Sequence, residues 1–522
     1  MHPLNCHPTS KVCVRRPCRA ALLGRAYVLL LAGLIPQQAL AQGAWIGAPG
    51  FANGQVAPDA HAVNLESPNQ ESQGTAIARL DANTIVQAAL VKHPSGTQTN
   101  GLWNLGLLLF DSRTGARRTW SEASSAYGWF NNQYRIYPNS TTAVLRTVNR
   151  VVVARDTIFV LVELQFADRR VVQIFRFSAA GQYLGSTEVF SNGPQTERVA
   201  GDMQAYSLTQ SNGTRLVVVG FIRNSATGAT GPVLRNYIVE SGGGLTDATG
   251  IVTLDRGACS ALSRCQPEAL ALGFRGIGTA PVVYIASRIF NGANFENQRV
   301  YLKKVNASGV HDVLWNTADA ALPLGARTTT PGQVSVKGLS VRTTGMGTPS
   351  SPYADQVTVV AEVERDCGWG VRVARILNSS NMTYARVLFG GSDASGSFCG
   401  AMPPESLFPR SVARDGDTLI VAGRRNPPGL FLGERPFDSF ITRVNTSSMT
   451  VQRQDTLTWP LVGPRLGNSL INDVLLDGNA LIGTGALRYP QEMPTNPALE
   501  GKAQSSRMRL VVESIFSNGF EG

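Results

Sequence analysis

Charge is what this chain has least of. Only 16% of its 522 residues are Asp, Glu, Lys or Arg, against roughly 25% in an average soluble domain, which excludes a disordered polyelectrolyte and a coiled coil. Lysine is confined to positions 11, 92, 303, 304, 337 and 502, so the positive charge is almost all arginine. No Lys/Arg run long enough to make a nucleic-acid footprint occurs. No apolar run long enough to span a membrane occurs outside an N-terminal leader, so no transmembrane segment is expected. Beyond that leader histidine is limited to His61, His93 and His311, each in a polar or turn segment and read as a solvated surface residue. Neither His-Glu-x-x-His nor Gly-x-Ser-x-Gly is present. The Gly-x-Gly pieces at Gly276, Gly345, Gly368 and Gly483 lack the third glycine of a dinucleotide site. Asp415-Gly-Asp417 and Asp477-Gly-Asn479 lack the remaining ligands of a calcium loop and read as turns. No catalytic residue, cofactor or metal site follows from a motif.

Cysteine is sparse and placed as in an exported protein. Residues 1–41 read as a signal peptide: Arg15, Arg16, Arg19 and Arg25 precede the apolar stretch Ala26–Ile35, and Ala39-Leu40-Ala41 is a small-x-small cleavage signature. Removing the five basic residues of that leader from 47 leaves 42 against 36 acids, a net charge near +6. Cys6, Cys13 and Cys18 leave with it. An even set remains, Cys259, Cys265, Cys367 and Cys399, which in an oxidising compartment favours disulfides over zinc. The spacing suggests Cys259 with Cys265 and Cys367 with Cys399, the second closing a loop worth about 3–4 kcal/mol. A secreted or periplasmic location is expected, and a monomer.

What the chain does have is self-similarity. A polar turn followed by an apolar strand recurs seven times, with Ile85, Ile158, Leu216, Val282, Val357, Leu419 and Leu481 as equivalent positions, on average about 66 residues apart. A second piece, a strand ending in a polar turn, follows each first piece, from Leu107–Gly115 through Ile441–Ser448 to Arg507–Phe516. A four-stranded propeller blade needs roughly 45 residues, so each unit has length for a blade and longer loops. The expected fold is all-β, a seven-bladed β-propeller over residues 76–522. Residues 42–75 form a polar N-terminal segment able to supply a closing strand. A β-sandwich array or a β-solenoid is the alternative.

In an outward-running meander, the loops between strands two and three and the connections between units share one face. Cys259, Cys265, Cys367 and Cys399 all fall there. So do Trp103, Trp369, Arg424, Arg425, Phe431, Arg435 and Tyr489, the aromatic and arginine types that dominate binding hot spots. They are the candidate binding rim; folding back over blade edges as loop core is the competing reading.

Three segments carry resemblances. Asp111-Ser-Arg-Thr-Gly115 with Trp120 resembles the Asp-x-x-Thr-Gly-x-x-x-Trp signature of pyrroloquinoline-quinone propellers, but with one residue too many and no such Trp in the other units. Arg176–Gly181, Lys304–Gly309 and Arg443–Ser448 resemble the strand-turn of the delta-sixty family of secreted bacterial repeats. Ile515–Glu521 resembles an Ile-Phe-x-x-Gly-Phe-Glu tail of exported Gram-negative proteins. These resemblances imply an exported bacterial repeat protein and no chemistry. The expected function is a non-catalytic module binding a protein, other macromolecule or glycan, without cofactor, metal or nucleic acid. The alternative is a secreted hydrolase or lyase acting on an extracellular polymer.

Overall fold

The computed structural model describes residues 45–47, 72–92, 103–121, 134–137, 143–190, 196–208, 213–224, 230–254, 263–275, 279–291, 299–306, 321–322, 333–351, 354–377, 384–392, 404–427, 438–457, 468–478, 480–488 and 502–510. Every regular element among them is a β-strand, and none is a helix long and apolar enough to cross a membrane. The leader, the three histidines and the C-terminal tail lie outside the described residues. The chain divides into two units, residues 1–46 with 510–522, and residues 47–509. In the first, only Trp45 and Ile46, from the strand Trp45–Gly47, and Leu510, the last residue of the strand Lys502–Leu510, are described.

The second unit is a β-propeller. Six sheets follow one another as antiparallel meanders of at least four consecutive strands. Their first strands are Ser72–Arg79, Ala143–Ala154, Thr196–Leu208, Ser263–Gly273, Val334–Thr344 and Ser406–Asp415. A seventh sheet adds Asn468–Asp477, Ala480–Arg488 and Lys502–Leu510 in the same order. The first strand of the first sheet begins at Ser72. Each first strand packs on the first strand of the next sheet, and Asn468–Asp477 packs on Ser72–Arg79, closing a ring around an axis.

The seven equivalent positions all lie in second strands, which are sandwiched between neighbouring sheets. Thr157–Phe166 is buried through eight successive residues, a continuous apolar run rather than an alternation, as expected of a strand covered on both faces. Ile85, Ile158, Leu216, Val357, Leu419 and Leu481 are fully buried, while Val282 is only partly so. The hairpins leading into these strands have the left-handed backbone that their residues suit. Arg155 and Asp156 sit at φ 48° and 57°, and Gly416 and Gly478 at 53° and 58°, the geometry of tight two-residue connections.

One feature recurs in every first strand. The pairing to the second strand skips a residue, leaving Thr75, Asn149, Gly201, Glu268, Lys337, Arg410 and Asn472 outside the ladder; Arg146 is a further skip in the second sheet. Such a bulge turns one side chain away from the sheet plane. Across the ladder, the residue opposite the last one before the bulge is small in six sheets: Ala89, Gly220, Ser287, Ala361, Gly423 and Gly485. At Gly423 and Gly485 a Cβ would run into the carbonyl oxygens of Phe408 and Leu470, so glycine there makes room for the bulged carbonyl.

Candidate functional site

The bulge residues converge. A cavity of about 240 Å³ on the ring axis is lined by Thr75, Asn149, Gly201, Glu268, Lys337, Arg410 and Asn472, one from each first strand, together with Arg150, Asp202, Gln204, Ser411 and Asp473 among others. Its wall is therefore polar and charged although every strand that builds it packs an apolar core behind.

The carboxylates of this wall are tied to the neighbouring sheet. Asp202 accepts from the backbone N–H of Leu270 (3.0 Å) and of Met203 (2.8 Å). Glu268 accepts from the N–H of Val336 (2.5 Å) and the hydroxyl of Ser335, and pairs with Arg288 at 2.8 Å. Asp473 accepts from the N–H of Ile77 (3.0 Å) and Val474 and from the Ser411 hydroxyl (2.6 Å). One strand further from the axis, Glu163 of Thr157–Phe166 accepts from the N–H of Ala200 at 2.8 Å. Leu270, Val336, Ile77 and Ala200 all lie within two residues of a skipped position, and in each case the carboxylate of the preceding sheet accepts from the amide.

Burial pushes the carboxyls of Asp202, Glu268 and Glu163 up from their ordinary range, against the pull of Arg150, of Arg288 and of the Ala200 amide respectively. Arg150 lies between Asp202 (3.5 Å) and Asp473 (3.8 Å), and Asp202 first, then Asp473, holds its guanidinium charge. Lys337 is pushed down by burial despite Glu362 and Glu268, with Arg410 and Arg288 adding to the fall. Its ammonium stands 3.8 Å from Glu362, too far for a hydrogen bond. Arg410 is exposed to the cavity and forms no hydrogen bond or ion pair with any described residue. Perturbed groups converging on one cleft are a physical mark of a functional site. Among the described residues no cluster of His, Cys, Asp and Glu is arranged to hold a metal.

The rim residues fare differently. Trp369, half-buried at the start of Trp369–Leu377, lies against the Phe408 ring (centroids 5.9 Å apart), and Arg424 covers the same ring at 4.3 Å. Arg425 is ion-paired to Glu405 and, at 3.4 Å, to Asp438. These four residues lie where the fifth and sixth sheets meet, stacked and paired with their own neighbours. Trp103 opens the strand Trp103–Asp111, opposite Lys92; Phe431, Arg435 and Tyr489 lie outside the described residues.

Cys265 and Cys367 are buried, and their expected partners Cys259 and Cys399 are also outside the described residues. Cys367 exchanges two backbone hydrogen bonds with Ser392, so a strand-two-to-three loop and a sheet-to-sheet connection do meet on one face. Trp120, the residue of the quinone-like segment, is core: it is 2% exposed and packs where Gly181 leaves no room for a side chain. Asp111 caps its own turn through the N–H of Arg113 and Thr114.

No family model and no curated protein matches the sequence. Solved structures similar to this chain include the phage phi92 endosialidase (10% identity, TM-score 0.36, covering 92% of this chain and 71% of that one). The GH93 α-L-arabinofuranosidase of Fusarium graminearum in complex with arabinobiose is similar too, at 11% identity and TM-score 0.34 over 89% and 98%. Drosophila Plexin A in complex with Semaphorin 1b has 10% identity and a TM-score of 0.30 over 71% and 80%.

Proposed function

We propose that this chain is an exported binding module, a seven-bladed propeller that takes a glycan at its axial cavity. The observation that carries the reading is the cavity itself: every first strand sends a bulge residue into it, and those residues are polar or charged in six of seven cases. The rim, the first place the sequence points to, is a weaker candidate, because Trp369, Arg424 and Arg425 are occupied by Phe408, Glu405 and Asp438. Export rests on the leader, on the tail resemblance and on the pairs Cys259–Cys265 and Cys367–Cys399, which the burial of Cys265 and Cys367 supports.

A hydrolase or lyase is the second reading, favoured by one observation. Asp202 and Glu268 lie on adjacent first strands, both line the cavity, and burial raises both carboxyls toward the protonated form a general acid needs. Against it, each already accepts two or more hydrogen bonds from the blade seams.

The test is a glycan array probed with the mature protein, with Trp369→Ala and with Arg410→Ala. Loss of signal with Arg410→Ala and retention with Trp369→Ala is the expected result; the reverse pattern, or no glycan bound at all, would overturn the axial site. Release of reducing ends from any bound polymer, abolished in Glu268→Gln, would replace the binding module with the enzyme.

A further inference from the structure

The cavity wall is not electrically uniform, and the imbalance points to a ligand class. Its carboxylates are turned into the seams between sheets, where Asp202, Glu268 and Asp473 each receive at least two hydrogen bonds from backbone amides and hydroxyls. Arg150 answers two of them. What remains facing the open space are the two cations of adjacent first strands, Arg410 without any partner among the described residues and Lys337 with a long contact to Glu362 and a weaker attraction from Glu268. The neutral lining residues add a second pattern. Gln204 and Asn472 donate their amide N–H groups to the backbone carbonyls of Leu270 (2.7 Å) and Gly74 (2.6 Å). That fixes the amide orientation and leaves each side-chain oxygen, which has no donor among the described residues, as an acceptor toward the cavity.

Resting on the glycan-binding reading above, we propose that the axial cavity takes an acidic sugar, its carboxylate held between Arg410 and Lys337 and its hydroxyls donating to the side-chain oxygens of Gln204 and Asn472. An anion such as sulfate would answer the cations but has no hydroxyl hydrogens for the amide oxygens; a neutral sugar would do the opposite. At about 240 Å³ the space equals that of roughly eight waters, the bulk of one sugar residue, so a chain end rather than a chain interior enters. Guanidinium suits the planar, two-oxygen geometry of a carboxylate, and the ammonium acts as a point charge beside it. An anion between them also relieves the repulsion that Arg410 exerts on Lys337.

Titration calorimetry with D-glucuronate and D-galacturonate, each against glucose and galactose, tests this alongside uronate-bearing and neutral members of the array. The acids are expected to bind about tenfold or more tightly than their neutral counterparts, the scale of one charge-assisted hydrogen bond. Arg410→Gln is expected to erase that preference with an unchanged melting temperature, since Arg410 holds no other group among the described residues, and Arg410→Lys to keep part of it. Lys337→Gln serves as the second variant. Equal binding of acid and neutral sugars, array hits without a uronate, or a preference that survives Arg410→Gln overturns the acidic-sugar proposal while leaving the axial glycan site intact. Absence of any sugar binding, by array and calorimetry alike, overturns both.

Discussion

At the scale of single residues, the same device recurs away from the axis: a buried carboxylate ties one sheet to the next. Asp355, whose side chain is 0% exposed, joins the fourth and fifth sheets through a two-pronged pair with Arg275, the Tyr284 hydroxyl and the Thr343 hydroxyl at 2.7 Å. Burial alone would raise its carboxyl; the hydrogen bonds of Arg275, Tyr284 and Thr343 outweigh that and hold it below the ordinary range. A depressed folded value means the unfolded chain binds the proton more readily. The stabilisation is therefore complete above the ordinary carboxylate value and is lost as pH falls through the lower folded value. Asp355→Asn is expected to cost about 3–5 kcal/mol at neutral pH, since it removes a fully buried charge from its pair with the partly buried Arg275 guanidinium, and to flatten the acid limb of stability against pH. Tyr284→Phe should cost only about 1 kcal/mol. Urea melts of the three proteins from neutral to acid pH check this; an Asp355→Asn curve parallel to that of the parent would refute it.

At the scale of the element, the strand that matters most is the one the sequence conceals. Second strands announce themselves through apolar runs such as Thr157–Phe166 and turn residues such as Asp415-Gly416, and third strands through the polar turns that end them. First strands carry a bulge, which breaks the period-two alternation by which a strand is read. Their distance from the second strand also varies: two residues separate Asp415 from Thr418, and nine separate Thr344 from Ala354. Glu268, Lys337 and Arg410 thus look like scattered surface charges until the ring brings them together. A signal was present on the opposite strand, where Gly220, Gly423 and Gly485 interrupt otherwise apolar runs, as glycine does where a bulge or another backbone comes close. Gly423→Ala is expected to destabilise by about 1–3 kcal/mol, because its methyl meets the Phe408 carbonyl rather than a side chain that can move. Gly416→Ala serves as the contrast: it has open space around it and strains only its positive φ. Chemical denaturation of both separates overpacking at the bulge from turn strain; equal costs would deny the bulge its special demand. The rim was visible from composition because aromatics and arginine are enriched in binding surfaces, yet composition does not distinguish an arginine that waits for a ligand from one that already covers Phe408.

At the scale of the whole molecule, the ring makes distant parts of the chain answer for one another. Each sheet has two apolar faces and each is covered by a neighbour, so no sheet can be removed without exposing two. The seam between the seventh and first sheets is held by residues at opposite ends of the chain. Gln87 donates to the Thr484 hydroxyl across 397 positions, Ile77 N–H donates to Asp473, Asn472 donates to the Gly74 carbonyl, and Arg79 pairs with Asp477 at 2.5 Å. Closing a loop of that length carries a large entropy cost, and contacts of such high sequence separation slow folding. The axial cavity depends on it, because its wall includes Thr75 and Asn472 from the two sides of the seam. A chain ending before residue 468 should therefore lose more than one sheet. Without Ile471, Val474, Leu481 and Ile482 to cover them, the facing surfaces of the first and sixth sheets stand open, and apolar surface of that extent drives association. The expected outcome is a protein that binds a hydrophobic dye, shows no cooperative thermal transition and binds no sugar, whereas Arg79→Ala, which removes only a part-exposed ion pair of the same seam, melts within about 1 kcal/mol of the parent. A truncated chain with a sharp transition near that of the full protein would mean that the sheets are stable as an open array, and that ring closure serves the cavity alone.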